Sequence, residues 1–209
     1  MSQQLQVETQ TGPTDLLAAV VAAARDQPKK IILQDGSLKR LTYRELLLGA
    51  SVLAREWPAR LQNTTASDRA GRVGVLLPNV NALPVVLLSL WSAGRVPAIL
   101  NFSTVTATML TCARLAGLRQ VITSRAFLER AKLDARALTD GGLELVYLED
   151  VRARITVGRK LGAAIRQRIR LGMSSAHLAP GDRAVVLFTS CSEGTPKGVE
   201  LTHANLLAN

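Results

Sequence analysis

The sequence predicts an α/β fold, a mostly parallel sheet flanked by helices, on three grounds. Five short apolar runs, at residues 73–77, 96–100, 119–123, 143–148 and 184–188, recur along the chain, each of strand length and bounded by turn residues. Helix-length segments separate most of them, which is the rhythm of parallel strands joined by crossover helices. A chain of 209 residues with 47% apolar composition is also large and apolar enough to bury a core, which a disordered chain is not.

The elements are taken in chain order. Residues 1–13 are read as a flexible N-terminus, and residues 14–209 as one incomplete domain. Thr14 is placed to cap a helix from Asp15 to about Arg25, and Thr42 with Glu45 forms a capping box before a helix reaching about Trp57. Between them, residues 30–34 and 39–42 flank Asp35-Gly36, a hairpin signal. Residues 62–71 and 139–142 read as surface loops. The last apolar run, 184–188, opens into a loop of hydroxyls and glycines, then Lys197, then the expected start of a helix.

Composition excludes several classes. Residues 1–11 are polar and lack a signal peptide's apolar core. Arg95 and Pro97 interrupt the most apolar stretch, 83–100, short of the ~18 uninterrupted residues that a membrane span requires. A cytoplasmic protein is expected, with peripheral contact at the inner membrane as an open alternative. Cys112, Cys191, His177 and His203 have no metal-ligand spacing, so reduced thiols and no structural zinc are expected.

Charge is uneven. The net charge is +10, and residues 151–172 hold seven basic side chains (Arg152, Arg154, Arg159, Lys160, Arg166, Arg168 and Arg170) and no acidic one. Leu161, Ile165 and Ile169 recur at helical spacing, so a helix here carries one apolar stripe against a basic face. Two uses fit: an anionic membrane surface, or a solvated helix packed on the sheet. Nucleic acid is not the expected partner, because the aromatic residues are scattered rather than interleaved with these arginines.

The loop after residue 188 carries the chemistry. Thr189, Ser190, Ser192 and Thr195 offer hydroxyl donors, Gly194 and Gly198 let the main chain approach a ligand, and Lys197 supplies a compact positive charge. A polyphosphate uses all three. The Walker pattern is absent, because Pro196 precedes the lysine and neither Ser nor Thr comes after it. The alternative is a surface turn whose hydroxyls satisfy their own backbone.

The run Thr189-Ser190-Cys191-Ser192-Glu193-Gly194-Thr195-Pro196-Lys197-Gly198-Val199 resembles the signature Thr-Ser-Gly-Ser/Thr-Thr/Glu-Gly-x-Pro-Lys-Gly-Val of the AMP-forming adenylate-forming enzymes. These include acyl-CoA synthetases, peptide-synthetase adenylation domains and luciferase. Leu201-Thr202-His203-x-Asn205 is similar to the family's continuation into the next helix. Glu193, with Leu-Trp-x-Ala-Gly-Arg-Val-Pro-Ala at 90–98 and Leu100-Asn101-Phe102, looks most like the acyl-carrier-protein synthetase half of bacterial 2-acylglycerophosphoethanolamine acyltransferases. Cys191 departs from the pattern, standing where the family has glycine. A Cβ there obstructs both a positive φ and a ligand oxygen, at about 1–2 kcal/mol if the left-handed region is required.

The resemblance implies an N-terminal fragment of a synthetase that activates a fatty acid with ATP and Mg and passes it to CoA or acyl carrier protein, and it adds docking of an acidic carrier protein to the uses of the basic segment 151–172. It assigns Thr189, Ser190, Cys191, Ser192, Glu193, Gly194, Thr195, Pro196, Lys197 and Gly198 to the phosphates. The family's later motifs fall beyond Asn209, so the fragment is expected to be inactive by itself. The stop a few residues into a helix, which would leave that helix unpacked, is read as truncation. Other readings are a non-catalytic phosphate-binding or membrane-surface module and a basic nucleic-acid binder.

The basic segment predicts association with anionic lipid vesicles that weakens as salt rises above about 0.15 M. Co-sedimentation with vesicles across a salt series checks this; absent or salt-independent binding favours the solvated helix.

Overall fold

In a computed structural model, residues 12–62, 71–155, 173, 178–189 and 196–208 are described. Helix α1 (Leu16–Asp26) leads to a hairpin of β1 (Ile31–Gln34) and β2 (Arg40–Thr42), then α2 (Tyr43–Ala54). Next come β3 (Arg72–Val75), α3 (Ala82–Ser92), β4 (Val96–Ile99), α4 (Thr106–Leu115) and β5 (Gln120–Thr123). Two short helices, α5 (Arg125–Arg130) and α6 (Ala135–Asp140), precede β6 (Glu144–Tyr147) and α7 (Leu148–Ala153). The described chain ends with β7 (Arg183–Thr189), β8 (Lys197–Thr202) and α8 (His203–Leu207).

Each of the five apolar runs forms a strand of one six-stranded sheet, in the order β6-β5-β3-β4-β7-β8. Every pairing is parallel except β7 with β8, which is antiparallel. The expected α/β class with a mostly parallel sheet is therefore present. Parallel strands need cover on both faces, which is why these runs are continuously apolar rather than alternating. On one face α4, α5 and α6 pack Met109, Ala113, Phe127 and Leu138 against Ala98, Val121 and Val186. On the other, α2, α3 and α7 bring Leu53, Leu90 and Val151 onto Val73, Val75 and Ile122, with Trp57 beside them. A third cluster joins Leu17 and Val21 of α1 to Leu47, Ala50 and Trp91. Burying a side chain such as Leu90 stabilises the fold by about 1.5–3 kcal/mol.

Local chemistry corrects several boundaries. Asp15, not Thr14, caps α1: its carboxylate accepts from the Ala18 N–H at 2.8 Å, and Thr14 donates its hydroxyl to that carboxylate. The capping box of Thr42 and Glu45 is present, but α2 ends at Ala54 and is succeeded by a 3₁₀ turn, Trp57–Ala59. There Pro58 cannot continue an α-helical ladder. In the β1–β2 turn the positive φ falls on Leu38, at 62°, rather than on Gly36. Asp35 Oδ1 accepts from the N–H groups of Ser37 and Lys39, so the turn wraps around one carboxylate. Of the expected loop at 139–142, Thr139 and Asp140 belong to α6, and Gly142 turns the chain with φ 91°.

Residues 1–11 lie outside the described residues, as does 63–70 of the loop expected at 62–71. Of the basic segment, Arg152 and Arg154 are exposed at α7 and its end, while 156–172 lies outside the described residues. Among the described residues no helix is long and apolar enough to cross a membrane.

Two glycines give opposite expectations. A Cβ at Gly74, in the sheet centre, would lie 2.8 Å from Val121 Cγ2 and 3.2 Å from the Gln120 carbonyl oxygen. Gly74→Ala is expected to lower stability by about 1–3 kcal/mol through overpacking. At Gly198 the nearest atoms, Leu115 Cδ2 and Phe188 Cε1, are at 3.6 and 3.7 Å, ordinary contact distances. Gly198→Ala is therefore expected to stay within about 0.5 kcal/mol of the parent. Urea denaturation monitored by circular dichroism checks the pair.

Candidate functional site

Strand β7 carries the candidate loop to the edge of the sheet where such folds bind ligands. Ala184, Val185 and Val186 are buried between neighbouring strands, with Val186 beside Ala98 of β4. The Trp91 indole N–H donates to the Ala184 carbonyl at 2.6 Å, fixing the start of the strand to α3. Because β7 runs parallel to β3, β4 and β5, Thr189 emerges at their carboxyl ends, the ligand-binding edge of an open α/β sheet.

Beyond the loop the expected helix start is present, at His203, but an unexpected strand comes first: β8 begins at Lys197 and pairs back on β7 with Lys197 opposite Thr189 and Gly198 opposite Phe188. The alternation of Lys197, Val199 and Leu201 is a strand period, which the glycine after the lysine obscured. The hairpin carries the chain to the amino edge of the sheet, so the N-terminus of α8 opens far along the strand from Lys197. The positive end of a helix directly after the lysine is thus not part of the site. Leu201-Thr202-His203-x-Asn205 instead forms the α8 capping box, Thr202 accepting from the Asn205 N–H and Asn205 from the Thr202 N–H. Nor is α8 unpacked, because His203 is fully buried.

Thr189, Pro196, Lys197 and Gly198 are described: Thr189, Lys197 and Gly198 are exposed, and Pro196 is half-buried. Ser190, Cys191, Ser192, Glu193, Gly194 and Thr195 lie outside the described residues. The mouth of the loop is thus a hydroxyl facing an ammonium across one rung of a ladder. Both are groups that donate to anionic oxygen.

The stem is held from below. Glu200 of β8 pairs with Arg72 of β3 and with Arg183 of β7. The Arg72 side chain is 4% exposed and also donates to the Ala116 carbonyl at 3.3 Å, at the C-terminal end of α4. A cation there complements the negative end of the helix. One network thus joins the two hairpin strands to the sheet centre.

Sequence reasoning missed a second polar cluster on the carboxyl edge. Ser124 caps α5, and its hydroxyl donates to Glu149 Oε1 at 2.7 Å. Burial pushes the Glu149 carboxyl up, but the Ser124 hydroxyl and backbone N–H groups outweigh this and hold it below its ordinary value. This helix N-terminus already has its anion. Arg125 grips Asp150 through both guanidinium nitrogens at 2.7 Å and lies 3.9 Å over the Tyr147 ring. Ser124 is legible as a cap, but its partner 25 positions away is not. Among the described residues no group of three His, Cys, Asp or Glu side chains is placed to hold a metal. Cys112 is a buried free thiol whose pKa burial raises.

A doubly covered, mostly parallel sheet with a hydroxyl and a lysine at its carboxyl edge defines an open α/β domain. The family model described as AMP-binding enzyme matches residues 20–209, and the chain belongs to that family. The nonribosomal peptide synthetase SIDC of Beauveria bassiana is 30% identical over 193 residues, which are 92% of this chain and 4% of that protein. Among solved structures, VinN with 3-methylaspartate superposes with a TM-score of 0.66 at 23% identity, over 91% of this chain and 48% of that one. The NpsA N-terminal subdomain of Klebsiella oxytoca gives 0.68 at 19% identity, over 91% and 42%. The chain thus spans less than half of these structures and a small part of the peptide synthetase.

Proposed function

We propose that the chain is the N-terminal part, residues 14–209, of a domain that activates a carboxylic acid as its adenylate, and that residues 189–198 grip the terminal phosphates of ATP. The observation that carries this reading is the Thr189–Lys197 rung at the carboxyl edge of the sheet. Members of the AMP-binding family use ATP with Mg, and ATP supplies the anhydride whose pyrophosphate leaves when the acid is activated. This chain's own residues have a narrower task. Lys197 compensates charge on the leaving group, and the hydroxyls of Thr189, Ser190, Ser192 and Thr195 donate to its oxygens, holding it in line. Glu193 and Pro196 complete the loop, and Gly194 and Gly198 leave the main chain approachable. Cys191 narrows that approach.

The acid is a fatty acid in this reading, transferred to CoA or an acyl carrier protein. Its support is the sequence likeness at Glu193, 90–98 and 100–102 alone. Within 90–102 these residues serve packing: Leu90, Ala98 and Leu100 are buried, and Gly94 turns the chain at φ 67°. Trp91 and Ala98 meet β7 at Ala184 and Val186, several residues before the loop opens. A second reading, an amino acid loaded onto a carrier protein, is favoured by the likeness to a peptide synthetase.

Cys191→Gly is expected to tighten pyrophosphate or ATP binding by restoring clearance, and Lys197→Ala to weaken it by removing the loop's one cation. Isothermal calorimetry on the parent and both variants measures this, with circular dichroism as the control for folding. Equal affinities in all three, with unchanged spectra, would show that the loop does not hold phosphate.

A further inference from the structure

His203 is the first residue of α8, yet it is fully buried where three distant parts of the chain meet. The Leu16 N–H, at the start of α1, donates to its Nδ1 at 3.4 Å. The Trp91 ring of α3 stands edge-on to the imidazole, centroids 5.5 Å apart. The turn before β7 accepts from the backbone of α8: His203 N–H to the Asp182 carbonyl at 3.0 Å, Ala204 N–H to the Pro180 carbonyl at 2.9 Å. Since Nδ1 accepts, the neutral ring carries its proton on Nε2, which has no hydrogen-bond partner among the described residues.

We propose that His203 is a protonation-sensitive latch that fastens α8, and with it the end of β8, to the N-terminus of α1 while neutral and releases that junction when charged. A proton added at Nδ1 would point at the Leu16 N–H and replace a hydrogen bond by donor facing donor. The cation would sit without water at the first position of α8 and against the first turn of α1, where both helix ends are positive. Charged groups on every adjoining element bear on the balance. Asp15 of the α1 cap and Asp182 before β7 favour the cation, but each already accepts backbone N–H bonds, Asp15 from Ala18 and Asp182 from Ala179. Arg183 of β7 and Glu200 of β8 are paired with each other, and Lys197 lies at the far end of β8. Neither α3 nor α8 contains a charged side chain. Burial outweighs the two carboxylates and holds the imidazole pKa below its ordinary 6.5.

A group whose folded pKa is depressed binds its proton more readily when released, so the latch is complete above pH 6.5 and loosens as pH falls below it. One linked proton shifts the opening equilibrium by up to about ten-fold per pH unit.

Hydrogen–deuterium exchange of the whole chain from about pH 7.5 to about pH 5, corrected for intrinsic rates, tests this. Protection is expected to fall in residues 12–26 and 198–208 together, while the β3 and β5 amides stay protected. In His203→Gln, whose amide oxygen replaces Nδ1 as acceptor, that pH dependence should vanish. Flat protection of both segments in the parent, or the same pH dependence in the variant, would overturn the proposal. Should the variant not fold, imidazole ¹⁵N shifts of the parent decide. A ring that becomes charged at its ordinary value while the Leu16 and Ala204 amides keep their protection contradicts a latch; a ring neutral on Nε2 until those amides open supports it.

Discussion

The antiparallel pairing of β8 on β7, with Lys197 opposite Thr189, is the constraint on which the candidate site depends. It fixes where the only described cation of the loop stands and at which edge of the sheet the loop opens. A slip of one residue would turn Lys197 and Val199 to the face now held by Gly198 and Glu200, since side chains alternate along a strand. Glu200 makes such a slip costly, because it would lose Arg72 and Arg183 together and leave the nearly buried Arg72 guanidinium without its carboxylate. The neighbouring β4 and the Trp91 indole hold β7 on its other side.

Four helix starts on this fold hold a carboxylate of their own. Asp15 caps α1, Glu45 closes the capping box of α2, Asp134 caps α6, and Glu149 takes the donors at the start of α5. A backbone N–H in the first turn of α1, α5 and α6, and the Thr42 N–H that precedes α2, therefore already has a carboxylate partner. The loop between β7 and β8 is of a different kind: its stem offers a hydroxyl and an ammonium to solvent, with no carboxylate drawn against Lys197 in the described residues. That contrast sets the stem of the hairpin apart from those helix ends.

The fold was legible where one physical cue decided it. Continuous apolar runs marked all five parallel-layer strands, and Thr42 with Glu45 marked the start of α2, because strand burial and capping are local chemistry. Cues failed where a tertiary contact decided. Thr14 and Asp15 are both good caps, and burial of Asp15 between α1 and α8 selects the second. The strand after Lys197 was hidden because Gly198 weakens a strand pattern, and its register comes from β7 and Glu200 rather than from its own residues. His203 read as a residue of a motif, while its burial against Trp91 and Leu16 arises from contacts remote in sequence, as the 187-residue separation from Leu16 shows. The site was legible as a composition of donors and a cation, and its two ends are placed by the hairpin.

The most direct measurement is amide ¹H–¹⁵N chemical-shift mapping of the whole chain during titration with pyrophosphate. Saturable perturbations confined to Thr189, Lys197, Gly198 and the residues between them, with β5 and the start of α5 unmoved, are the result this account predicts. Perturbations absent from both ends of the hairpin loop, or centred on the helix N-termini that already hold carboxylates, would contradict it.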